Sequence, residues 1–216
     1  MQFIIDTADL NAIEHINEFY PIDGVTTNPS IIAREKTNFI HRLKKIREII
    51  GDDKFLCAQT LQTDADLIVA EGKKLQTEIG GSFYLKIPIC EAGLKAAKEL
   101  KKDGVGVLMT AIFTPTQALM AAKAGADYVA PYVNRIDNVC GDGVGVIAEI
   151  VTQFENYGIT SCKVMAASFK NVMPQPLRPI FTNCLFRTRL PMLRLKTSKK
   201  TGSLFTEISK LLIFER

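Results

Sequence analysis

From Phe3 onward, short apolar runs alternate with segments whose apolar positions recur every three or four residues. FIID is followed by a segment in which Leu10, Ile13, Ile16 and Phe19 fall on a spacing of three, which predicts a helix with one buried stripe. IDGVTT leads, after TNPS, into a helical run from Phe39 to Ile50. KFLCAQ precedes a helix that Thr63 can cap, with Asp66 at the capping-box position. FYLKIPI precedes EAGLKAAKELKK, and VGVLMTAIF precedes TPTQALMAAKAG, where Thr114 suits the N-cap, Pro115 the first helical position and Gly125 the stop. DYVAPYV precedes a helix near Val144 to Tyr157, and SCKVMAASF reads as the seventh strand.

Strands and helices in this alternation imply parallel strands with crossover helices, as in a TIM (β/α)8 barrel or an open doubly wound sheet. The barrel is favoured, because the strands are uniformly short and no glycine-rich phosphate loop follows the first of them. Gly141, Gly143 and Gly145 in GDGVGV do not fit G-x-G-x-x-G and read as a loop leading into a helix. The rhythm stops after SFKN, where Pro174, Pro176, Pro179 and then Pro191 forbid a regular helix. No clear eighth strand follows, although SLFTEISKLLIF could form a terminal helix. The expected architecture is therefore a barrel body over 1–171, incomplete at its C-terminal end, and an atypical tail over 172–216.

Charge divides the chain at the same point. Residues 172–216 hold nine Lys/Arg against two Glu, a net +7, which leaves −3 for the body. A sudden run of Pro and Arg with lost periodicity is the pattern expected of translation in a shifted reading frame. A barrel without its eighth strand would leave the first and seventh strands as open edges, so a poorly stable or inactive chain is expected. The basic tail also raises a non-catalytic reading, a remnant that binds RNA or acidic surfaces. Its four Phe (Phe181, Phe186, Phe205, Phe214) follow no stacking pattern, so a nucleic-acid partner is not expected.

Composition otherwise points to a soluble enzyme-sized domain. At 216 residues and 47% hydrophobic the chain can bury one large core, and no apolar run approaches the roughly 20 residues that span a bilayer. With no leader-like N-terminus, the expected location is the cytoplasm, with no membrane partner. The five cysteines (Cys57, Cys90, Cys140, Cys162, Cys184) are scattered, without a CxxC pair or histidines at ligand spacing. They are expected to be buried small residues, with no metal and no cofactor.

One residue breaks the apolar pattern in a way that matters chemically. In FYLKIPI, alternation puts Phe83, Leu85, Ile87 and Ile89 on one face and Tyr84, Lys86 and Pro88 on the other, so Lys86 points into the barrel. A buried ammonium must be paired, for example with Asp6, or have its pKa lowered until the neutral amine is populated. A neutral amine attacks a ketone to give a carbinolamine and then a Schiff base, whose iminium accepts the electrons of a breaking C–C bond. Both readings of Lys86 stand on spacing alone. Asp6, Asn28, Gln59, Thr110, Tyr132 and Asn134 also fall at or just after strand ends, where this fold carries its catalytic groups.

FIIDTAD, GVTTNPSII, YLKIPI, ADYVAPYVNRID and AASFK, in this order from Met1 to about Asn171, together resemble the small transaldolase family, most closely its bacterial fructose-6-phosphate aldolases. The resemblance implies a TIM barrel of the class I, metal-independent type, assembled as a homo-oligomer, commonly a decamer. It makes Lys86 the Schiff-base lysine and Asp6 the carboxylate that handles protons and orients hydroxyls, with Thr26 and Asn28 beside it. Transaldolases in the family resemble one another in having Glu at the end of the third strand and Phe after the sixth. This chain has Gln59 and Tyr132, as in the aldolase subgroup. A water held by Gln59, Thr110 and Tyr132 can then deliver the proton that releases a three-carbon ketone. Arg135 and Ser168 match the phosphate-binding positions; for Arg135 the alternative is an ion pair with Asp137. The implied activity is reversible cleavage of fructose 6-phosphate to dihydroxyacetone and glyceraldehyde 3-phosphate. The alternatives are a transaldolase of the pentose phosphate pathway or an inactive remnant of either.

Overall fold

The structure, a computed structural model, describes residues 2–168 and the backbone of 184–188. Seven parallel strands alternate with helices: β1 (Gln2–Asp6), β2 (Gly24–Thr26), β3 (Phe55–Gln59), β4 (Phe83–Pro88), β5 (Gly106–Ile112), β6 (Tyr128–Pro131) and β7 (Lys163–Ala166). The helices are α1 (Leu10–Phe19), α2 (Pro29–Arg34), α3 (Phe39–Ile50), α4 (Ala65–Ile79), α5 (Glu91–Lys102), α6 (Pro115–Lys123), α7 (Val133–Asp137) and α8 (Gly143–Asn156). Each strand pairs in parallel with its sequence neighbour, which is the order of a TIM barrel.

The last unit is the irregular one. Cys184–Thr188 forms β8, parallel to β7 on one side and to β1 on the other, and closes the sheet. No clear eighth strand is legible in the sequence, but this short backbone segment pairs with the edges of both β1 and β7. CLFRT lacks clean alternation and sits among prolines and arginines, so its strand character comes from the two edges waiting for it and not from its own pattern. The expected incompleteness narrows to this unit: among the described residues, no helix accompanies β8. The proline-rich segment and SLFTEISKLLIF lie outside the described residues.

Alternation along the strands sorts the core into two parts. Val25, Leu56, Leu85, Ile87, Val107, Met109, Val129 and Val164 face the helix layer, where they meet Ile13, Leu43, Ile46, Leu75, Ala96, Leu100, Ala121 and Ile150. Ile4, Phe55, Cys57, Leu108, Tyr128, Ala130 and Met165 form a separate cluster inside the barrel. Two aspartates at the N-terminal end of the sheet play the same part in two places. Asp23 accepts the N–H of Phe3 and Asp127 that of Val107, each tying the start of a strand to the loop before the next one.

Local differences from the sequence reading have plain causes. Phe19 is 63% exposed although Ile13 is fully buried. A spacing of three advances about 300° on a helix, so each step slips about 60° and Phe19 has turned away from the stripe. The cap of α4 is Asp64 and not Thr63: its carboxylate accepts from the N–H groups of Asp66 and Leu67, and a carboxylate is the stronger acceptor at that position. Thr114 caps α6 in a full capping box with Gln117, and Gly125 ends it at φ +94°. Cys57 and Cys162 are buried, but Cys90 and Cys140 are exposed, against expectation. Cys90 caps α5, its sulfur accepting from the Gly93 N–H, whereas burial pushes the Cys162 thiol up to about 12. No helix among the described residues is long and apolar enough to cross a membrane.

Closure through β8 carries a testable consequence. A chain ending at Asn171 would lose both β8 ladders and expose two sheet edges. It is expected to lose cooperative thermal unfolding by circular dichroism while the full chain retains it; identical melts would show that β8 contributes nothing to the fold.

Candidate active site

Lys86 is 1% exposed and heads the fully buried side chains in size. Its strand places Tyr84 and Lys86 on the interior face, while Leu85 and Ile87 pack under the helices. Immediately below, the interior is sealed by aromatic rings. Phe55 and Tyr84 stack at 4.6 Å, and Tyr128 meets both edge-on at 5.1 Å. Gly106 makes room for them, since a Cβ there would lie 2.5 Å from the Tyr84 ring. Burial pushes the Tyr128 phenol well above its ordinary range, and the phenol is hydrogen-bonded to Tyr84. These rings fill the interior on the N-terminal side of the amine.

Polar groups gather at the height of Lys86 and above it. Asp6 and Thr26 end β1 and β2 in register, both buried, and the Thr26 hydroxyl donates to Asp6 Oδ1 at 3.0 Å. Gln59 ends β3 directly beside Lys86 in the parallel ladder. Thr110 lies at a register shift between β5 and β6, where Ala111 takes a left-handed φ of +60°. That bulge leaves the Thr110 hydroxyl donating to the Tyr132 phenol oxygen at 3.0 Å.

Tyr132 itself sits in the junction between β6 and α7, bridged to Ala167. The Arg135 guanidinium lies over its ring at 4.7 Å and Phe113 meets the ring edge-on at 6.1 Å. The expected alternative for Arg135, a pair with Asp137, is not found: Asp137 instead accepts the Gly143 N–H at 2.8 Å. Ser168 adopts φ +65°, and its carbonyl accepts the Asn134 N–H, which draws the end of β7 against the start of α7. Asn28 caps α2 through its side-chain oxygen, accepting from the Ile31 N–H at 3.0 Å. Of the residues expected at the site, Asn28 is thus the one whose oxygen is committed to a helix.

Some residues around the site were not singled out in the sequence. Thr27 gives both its N–H and its hydroxyl to the Cys57 carbonyl, and Thr60 joins the loop after Gln59 to Glu71 on α4. The single available signal was position, one residue past a strand end. Among the described residues, no three His, Cys, Asp or Glu side chains gather as metal ligands would.

Comparison with known proteins places the chain in a family. A family model described as Transaldolase/Fructose-6-phosphate aldolase matches residues 3–174. A "Probable fructose-6-phosphate aldolase" of Streptococcus pneumoniae (strain ATCC 700669 / Spain 23F-1) is 40% identical over 173 residues, 80% of this chain and 78% of that protein.

The Asp6–Thr26 bond can be tested by stability. Thr26→Val takes one donor from a buried carboxylate and is expected to cost about 1–3 kcal/mol by urea denaturation. Thr26→Ser should stay close to the parent. Parental stability in Thr26→Val, which keeps the methyl and lacks only the hydroxyl, would show that the hydrogen bond to Asp6 contributes nothing.

Proposed function

The chain belongs to the transaldolase/fructose-6-phosphate aldolase family, and on that premise we propose that it is a Schiff-base aldolase. It cleaves fructose 6-phosphate reversibly to dihydroxyacetone and glyceraldehyde 3-phosphate. The observation that carries this reading is Lys86, an amine buried above an aromatic floor and beside Gln59 in the ladder. Desolvation favours the neutral amine, which is the nucleophile toward the C2 ketone.

Addition to the ketone and loss of water give the iminium on Lys86. Asp6, oriented by Thr26, takes the proton from the C4 hydroxyl as the C3–C4 bond breaks. The aldehyde phosphate leaves and the electron pair passes into the enamine. A water held between Gln59, Thr110 and the Tyr132 phenol returns a proton to C3, and hydrolysis of the iminium frees dihydroxyacetone. Asn28, whose oxygen is held by the Ile31 N–H, keeps its amide N–H groups to donate to a sugar hydroxyl. Arg135 and Ser168, on segments joined by the Asn134 N–H to Ser168 carbonyl bond, supply a guanidinium and a hydroxyl for the phosphate. Gln59 and Tyr132 in place of Glu and Phe favour proton return over transfer of the three-carbon unit to a second sugar.

Borohydride reduction after incubation with dihydroxyacetone should leave an adduct on the Lys86 peptide and none on Lys86→Met. Absence of adduct on the parent chain would overturn the Schiff-base reading. Tyr132→Phe should keep the adduct and slow cleavage about a hundredfold, the lower range for loss of a positioned proton donor; unchanged turnover would remove Tyr132 from the mechanism. Product formation that requires erythrose 4-phosphate would make the protein a transaldolase instead.

A further inference from the structure

Gln59 and Lys86 are neighbours across the β3–β4 ladder, and the ladder continues one step further: the Thr60 N–H donates to the Lys86 carbonyl at 3.0 Å. Thr60 is itself buried, and its hydroxyl is bonded to the Glu71 carboxylate on α4. The same carboxylate accepts the Leu61 N–H at 3.1 Å, and the Thr60 hydroxyl oxygen accepts the Gln62 N–H at 3.1 Å. One carboxylate in the second turn of a helix therefore gathers the three residues that follow Gln59. Ordinary helix capping does not require this, because α4 already has Asp64 as its cap.

From this network we infer that Glu71, acting through Thr60, is a positioning residue for proton handling. It holds the backbone from which Gln59 projects and which is bonded to the carbonyl of Lys86. The inference rests on the aldolase reading above and concerns one step of it. In the iminium of dihydroxyacetone, the α-carbon gives a proton to the water at Gln59, Thr110 and Tyr132. The C–H electron pair becomes the enamine double bond and neutralises the iminium nitrogen; protonation reverses both. In D2O the returned proton is a deuteron, so incorporation of deuterium into dihydroxyacetone reads this step without an aldehyde acceptor. Trapped adduct is read as final yield at Lys86 and exchange as the rate of proton transfer at the α-carbon, so displacing Gln59 slows exchange and leaves the yield of adduct in place. Positioned groups are sensitive to such shifts, where about 1 Å can cost about a hundredfold.

The test compares the full chain with Glu71→Ala, Thr60→Val and Glu71→Gln, using deuterium exchange by proton NMR, borohydride adduct on Lys86, and kcat and KM for fructose 6-phosphate. Glu71→Ala and Thr60→Val should lose about tenfold in exchange and in kcat, with KM within about twofold and the parental yield of adduct. Glu71→Gln, whose amide oxygen accepts from the same donors, should recover most of the loss. Parental exchange and kcat in both disrupted variants would overturn the proposal while leaving the aldolase reading intact. So would adduct and exchange falling together, which would make Glu71 a general support of the fold. A parent chain with neither adduct nor exchange would overturn the aldolase reading and this proposal with it.

Discussion

A lysine buried inside a closed parallel barrel is the constraint around which this structure is arranged. Charged or neutral, the Lys86 amine cannot sit in hydrocarbon without polar company, and it cannot be reached freely by water if it is to stay a nucleophile. The interior answers with two layers. At the height of the amine and above it stand Asp6, Thr26, Gln59 and Thr110; below stand Phe55, Tyr84 and Tyr128. Period-two alternation supplies both layers from the same strands, since Phe55 and Gln59, or Tyr84 and Lys86, lie an even number of residues apart on one face.

Holding those groups in place falls to the loops, and the loops are held by the helices. Asp9, Asn28, Asp64, Cys90 and Thr114 each cap the helix that follows a strand end on the site's side of the barrel. At the opposite end Asp23 and Asp127 anchor strand starts. The two ends differ accordingly. One is tied by carboxylates to the backbone and serves stability, and the other is tied by short caps that leave side chains such as Gln59 and Tyr132 facing the interior or the mouth.

Much of this was legible along the chain where the cause is local. The α3, α5 and α6 segments follow from periodicity and cap chemistry, and the inward direction of Lys86 follows from alternation alone. Two short helices, α2 and α7, escaped because five or six residues carry no period to read. β8 escaped because its pairing partners are β1 and β7, far away in sequence. The candidate site divides the same way. Strand-end position singled out Asp6, Gln59 and Thr110, whereas Thr60 and Glu71 meet only once the β3–α4 loop has turned back on its helix.

The sequence by itself determined the alternation of strands and helices, the face on which each strand residue lies, and the residue types offered at the strand ends. These depend on backbone geometry and on neighbours within a few positions. Only the tertiary structure decided that Thr26 gives its hydroxyl to Asp6, that Thr110 does so to Tyr132, and that Arg135 covers the Tyr132 ring and leaves Asp137 to Gly143. Those contacts depend on strand register, on the bulge at Ala111 and on the path of the loop into α7. They arise from pairing between neighbouring strands and from the loops that join them to helices, which no single segment encodes.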